Sequence, residues 1–180
     1  MKRKFILLSV LMSMVALVSL GSYAYVQRQV IIDNQVSTSE VQIEIIQTDG
    51  TSRLENGVQF GAYPSKTIAY QAMIENTGKS RVWVRVKVHP ELLPLHLDNS
   101  LIDIQFNTTD WTWSEGYYYF QESLEANASS TTIFNGVHFS KDMDNTYMNS
   151  RFSLKIEAEA VQSDYNGSSA LTASGWSDND

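Results

Sequence analysis

The chain has 180 residues, with 13 Lys and Arg, 20 Asp and Glu, three His and no cysteine, for a net charge of −7. An acidic balance of this size argues against nucleic acid and anionic membrane surfaces as partners. The missing cysteine excludes a disulfide framework and a thiol nucleophile, so stability must come from packing and sheet hydrogen bonds.

Lys2, Arg3 and Lys4 open the chain, and Phe5 to Leu20 is an apolar run broken only by small hydroxyls. That run of 16 residues is shorter than the roughly 20 that span a bilayer as a helix. Ser22 and Ala24 then place small side chains at the −3 and −1 positions of a cleavage before Tyr25. Residues 1–24 are expected to form a cleavable signal-peptide helix. The exported chain, residues 25–180, would carry a net charge of −10, because all three leader charges are basic. It holds no second long apolar segment and is expected to have no membrane anchor.

Behind the cut, Val26, Val30, Ile32 and Val36 alternate with Gln27, Gln29, Asp33 and Gln35. Residues 25–37 therefore read as a strand at the new N-terminus. Such a strand can pair within its own subunit or be lent to a neighbour. The alternation recurs in Val41–Ile45, Thr67–Glu75, Arg81–Val88, Ile102–Phe106 and Phe152–Ala160. Each reads as a half-buried strand with its apolar face inward. The last is rich in Ala and Glu, and its strict alternation over nearly ten residues decides for strand over helix.

Turn signals separate the strands at Asp49-Gly50, Asn56-Gly57, Asn76-Thr77-Gly78, Ser114-Glu115-Gly116 and Asn135-Gly136. The spacing predicts a hairpin at Asn76-Thr77-Gly78. Pro90 and Pro94 are expected to end the strand that follows it, and Leu92 to Asp98 to be a loop or a single helical turn. The pattern predicts an all-β fold, a two-sheet antiparallel β-sandwich, over residues 38–172, with a polar tail at 173–180.

Little chemistry is encoded. There is no H-E-x-x-H, no G-x-S-x-G and no phosphate loop. His89, Glu91, His96 and His138 could hold a metal only if the fold brought them together; the alternative is three ordinary surface or loop histidines. Asp142 and Asp144 lack the further ligands of a calcium loop and read as a turn. Trp111, Trp113 and Tyr118 could stack on sugar rings, or pack alternately into the core and over a sheet face. Arg81, Arg85 and Lys87 share one strand face, a surface for an acidic partner or for cross-strand pairing with Glu157 and Glu159. Neither a catalytic residue nor a cofactor is expected.

Residues Gly21 to Ile45 resemble the start of the TasA/camelysin (CalY) family, with a G-x-x-A-Y junction, Asn34-Gln-Val-Ser37, and a V-x-I-x-I strand at Val41. Ile74 to Val88, Gly116-Tyr-Tyr-Tyr119, Ser129 to Phe134, and Ala158-Glu-Ala-Val-Gln162 are similar to later segments of that family, in the same order. The resemblance implies a jelly-roll-like sandwich, export through a SipW-type signal peptidase in a Gram-positive bacterium, and secretion to a biofilm matrix or surface fibre. It also implies fibres made by insertion of the N-terminal strand into the next subunit. Some members are described as metallopeptidases, an activity for which this chain offers no ligand motif. Three functions are thus carried forward: a self-associating structural protein, a secreted metallopeptidase, and a carbohydrate-binding surface module.

Overall fold

The computed structural model describes residues 41–55 and 57–177; the signal peptide expected at 1–24 and the strand expected at 25–37 lie outside them. Ten strands form two antiparallel sheets, so the all-β two-sheet sandwich is the observed architecture. The first sheet contains β1 (Ile43–Thr48), β3 (Thr67–Ile68), β4 (Gln71–Asn76), β6 (Ile102–Phe106) and β9 (Phe134–Phe139). In it β1 pairs with β4, while β9 pairs with β3, β4 and β6. The second contains β2 (Phe60–Gly61), β5 (Val82–Leu93), β7 (Trp111–Ser114), β8 (Tyr117–Phe120) and β10 (Arg151–Gln162), in the order β2-β10-β5-β8-β7.

Alternation explains which faces meet. Val82, Val84 and Val86 of β5 and Phe152, Leu154, Ile156 and Ala160 of β10 are buried between the sheets. Opposite them lie Ile74 of β4 and Phe134, Val137 and Phe139 of β9. Phe139 meets Phe152 edge to face at 5.4 Å between ring centroids, joining the two sheets. Tyr70 packs edge to face on Phe134 at 5.5 Å. Its hydroxyl donates to Gln47, and burial pushes that phenol up to about 12.

The hairpin expected at Asn76-Thr77-Gly78 is corrected. β4 and β5 lie in different sheets, so the segment between them is a crossover. Asn76 holds it from inside the protein. This fully buried side chain donates to the carbonyls of Ser80 (2.8 Å) and Leu124 (3.0 Å) and accepts from the Gly78 N–H (3.0 Å). Replacing Asn76 with alanine removes three hydrogen bonds at a sheet-to-sheet corner and leaves the Ser80 carbonyl without its amide donor, while the Leu124 carbonyl keeps Val82 and the Gly78 N–H keeps Gln42. The expected loss is about 3 kcal/mol of stability, read from the urea unfolding midpoint.

Three further expectations are corrected. Pro90 does not end its strand: it lies inside β5, opposite Leu154 of β10. Its carbonyl accepts from Asn99 Nδ2 (3.1 Å), so its polar edge points away from β10, where no ladder donor is required. Of the segment Leu92 to Asp98, residues 94–98 are the expected loop, but Leu92 and Leu93 belong to β5, and a short helical turn follows at Asn99–Leu101 with Asp98 as its cap. Asn135-Gly136 is not a turn and lies within β9. A Cβ at Gly136 would stand 3.0 Å from Gln105 Oε1 and 3.2 Å from the Ile68 carbonyl, so a side chain there would press on the neighbouring strands and glycine suits their close approach.

The tight hairpin is at Ser114-Glu115-Gly116, where Ser114 faces Tyr117 and both loop residues have positive φ (48° and 85°).

The two twelve-residue strands give the sandwich a near and a far end. At the near end, Gln162 faces Val82, and Val82 exchanges backbone bonds with Leu124. Asn76 faces Ile43 there, and the Gly78 N–H donates to the Gln42 carbonyl. At the far end Arg151 faces Leu93, and the Ala62 N–H donates to the Ser150 carbonyl. The described chain thus enters the sandwich at the near end.

Candidate assembly edge

β10 is paired with β5 along its whole length, from Arg151↔Leu93 to Gln162↔Val82. On its other side β2 is the one strand among the described residues, and it reaches only Phe152 and Arg151. The rest of that edge, Ser153 to Gln162, runs for roughly 33 Å at the usual strand rise. β1, which pairs only with β4 among the described strands, comes close to β10 across the sandwich. Two sheet edges therefore border one side of the protein. The inward side chains along the β10 edge are Leu154, Ile156, Ala158 and Ala160, which shrink toward the near end. An added strand with alternating apolar residues would place every second side chain against them. The sequence marked β10 as a strand; that it lies beside so short a neighbour was not legible in it. The four residues expected to act as knobs, Val26, Val30, Ile32 and Val36, and the cleavage residues Ser22, Ala24 and Tyr25, lie outside the described residues.

The outer face of the same sheet is strapped down near the near end. Arg85 is buried and faces Glu159 across the ladder. Its Nη2 and Nε stand 2.8 and 2.9 Å from Glu159 Oε2, and Nη2 also donates to the Ser177 carbonyl at 2.9 Å. The guanidinium lies 3.9 Å from the centre of the Tyr117 ring and 4.9 Å from that of Trp176. Residues 173–177 of the segment read as a polar tail thus include an aromatic that packs on the sheet. Trp83 Nε1 donates to the Asn166 carbonyl, fixing the start of the strap.

These contacts decide the partner-surface reading. Arg85 is occupied within the subunit. Arg81 is exposed and paired with Glu125, and the Lys87 ammonium lies 5.5 Å from the Tyr117 ring centre. Cross-strand pairing holds for Arg85 with Glu159. Glu157 faces Lys87 but bonds Lys155 at 2.8 Å. That bond, with the positive charges of Lys155, His89 and Lys87, holds its carboxyl below the usual range against partial burial.

The aromatic cluster is divided as well. Trp111 is 1 % exposed and packs on Phe120 in the core, so it offers nothing to a sugar. Trp113 is 57 % exposed and leans on Tyr118, which stacks on Phe106 at 4.1 Å. One exposed ring remains of the three expected to form a stacking platform.

The four candidate metal ligands are not brought together. His89 and Glu91 project from β5, His96 lies in the loop after it, and His138 sits on β9 of the other sheet, 2.9 Å from Thr67 Oγ1. Among the described residues no group of three or more His, Cys, Asp or Glu is placed to hold a metal ion. Asp144 caps a short 3₁₀ turn by accepting from the Thr146 N–H and hydroxyl, which holds its carboxyl below the usual range. No helix among the described residues is long and apolar enough to cross a membrane. Comparison with protein-family models, with curated proteins and with solved structures finds no match for this chain.

Proposed function

We propose that this protein is an exported, non-enzymatic structural subunit of an extracellular fibre or matrix, in which residues 25–37 of one copy add a strand to β10 of the next. The observation that carries the reading is the long β10 edge beside a two-residue β2. Residues 25–37, extended, reach roughly 43 Å, enough to line that edge. Main-chain ladder bonds would supply affinity, and Val26, Val30, Ile32 and Val36 would supply register. A contact between a strand at one end and an edge elsewhere is heterologous, and where its rotation does not close a ring it propagates as an open filament. The resemblance to the TasA/camelysin family points the same way, and with it export by a SipW-type signal peptidase.

The absence of native cysteine makes a direct test clean. Two single variants of the exported chain, Val30→Cys and Ala158→Cys, are mixed and oxidised. Strand exchange predicts covalent dimers from the mixture. No dimers from the mixture, with an internal disulfide in the Val30→Cys/Ala158→Cys double variant, would show that the strand pairs within its own subunit and overturn the proposal.

A further inference from the structure

Past Gln162 the chain doubles back across the outer face of the second sheet, and it is held there in two unequal parts. The first is a closed loop, residues 163–174. The Ser163 N–H donates to the Arg81 carbonyl at 2.9 Å. The Asn166 side chain donates to the Gln162 and Ser174 carbonyls, both at 3.0 Å. It accepts from the Ser174 N–H at 2.9 Å and from the Ser174 hydroxyl at 3.1 Å. One amide thus ties the two ends of the loop together. Ala170, 1 % exposed, anchors the loop on Trp83 and Tyr119.

The second part is the arm Gly175–Ser177. Among the described residues one hydrogen bond holds it, from Arg85 Nη2 to the Ser177 carbonyl at 2.9 Å. The rest is ring contact: Trp176 lies 4.9 Å from the guanidinium and meets the Tyr119 ring edge to face at 6.1 Å. The seat is imperfect. Trp176 Nε1 is buried with no hydrogen-bond partner among the described residues, and water would satisfy that donor if the arm lifted. A pivot separates the two parts. Gly175 has a φ of 85°, and nothing stands within 4 Å of where its Cβ would be. A segment with one hydrogen bond and few buried contacts opens locally at far less cost than the fold as a whole.

We infer that Gly175–Ser177 is a latch that swings open about Gly175 while loop 163–174 and the sandwich stay in place. Closed, it covers Arg85 and shields the ion pair with Glu159 from water. Open, it leaves that pair and the stacking on Tyr117 intact, because both are made within the sheet. It then bares one face of the guanidinium and one Nη2 donor. The latch therefore switches a cationic, aromatic patch on the outer face of the sheet between hidden and presented.

Gly175→Ala isolates the pivot. The site is open, so the added methyl acts on the backbone alone, and the positive φ of the closed arm disfavours it. The exported chain labelled with 5-fluorotryptophan gives one fluorine signal each from Trp83, Trp111, Trp113 and Trp176. Trp176→Phe assigns the last. In urea below the unfolding transition, the Trp176 signal is expected to move toward its solvent-exposed position before those of Trp83 and Trp111. Gly175→Ala is expected to raise the open population about tenfold, with the urea midpoint at Trp111 unchanged. Movement of Trp176 only at the midpoint shared with Trp111 would overturn the inference. Joint movement of Trp176 and Trp83 would do the same, because it places the opening at Asn166 rather than at Gly175. An open population unchanged by Gly175→Ala also contradicts it.

Discussion

Replacing Arg85 with alanine is expected to destabilise the folded domain by about 3 kcal/mol, because it breaks the buried Arg85–Glu159 ion pair from one side. Both side chains of the pair are about one-tenth exposed, so water replaces little of what is lost. The guanidinium also fills the gap between the Tyr117 and Trp176 rings and donates to the Ser177 carbonyl. Its removal therefore loosens the strap as well as the ladder. Burial works against the charged guanidinium, yet its bonds to Tyr119 and Glu159 hold its pKa above the ordinary arginine value. An Arg85→Met/Glu159→Leu double variant removes both charges together and is expected to recover most of the loss. Urea unfolding of the two variants checks the pair, and Trp176 fluorescence reports whether the strap has lifted. A double variant as unstable as Arg85→Ala would mean that stacking, and not the buried charge, dominates.

The fold class was legible because period-two alternation survives in strands with one buried face. β6 and β10 stand almost where the pattern placed them, at Ile102–Phe106 and Arg151–Gln162. What failed was punctuation. Asn76-Thr77-Gly78 has the residues of a hairpin but turns the chain from one sheet into the other, a choice made by the buried contacts of Asn76 with Leu124, 48 residues away. Asn135-Gly136 looks like a turn because a glycine that eases close strand approach has the same letter as one that adopts positive φ. β9 was missed for that reason, although it is the hub of its sheet. Pro90 reads as a strand breaker, and only the position of Asn99 shows that its edge faces outward.

The candidate site was legible in halves. The alternation at residues 25–37, from which a strand is expected, could be read directly from the sequence. The proposed acceptor could not, because which described strands flank β10, and over what length, is set by tertiary structure. A cleft at the far end, lined by Tyr63 and Met148 among others, carried no signal at all: these residues lie in two loops that only tertiary structure brings together. The histidines show the converse, since residues close in sequence project from separate elements and share no site.

Deletion of residues 25–36 is expected to change assembly completely and the fold hardly at all. Among the described residues, the buried side chains that join the sheets lie within residues 41–170, and the truncated chain retains every one of them. It lacks only the segment assigned to the next subunit. Supplied in excess, a peptide of residues 25–37 would bind the native state alone. It would raise the unfolding midpoint by linkage, about 2.7 kcal/mol at a hundredfold excess over its dissociation constant. Electron microscopy of the purified truncated protein, beside the full exported chain, tests strand exchange most directly. The predicted result is a soluble, folded monomer with no fibres where the full chain forms them; fibres of unchanged form and number from the truncated protein would contradict it.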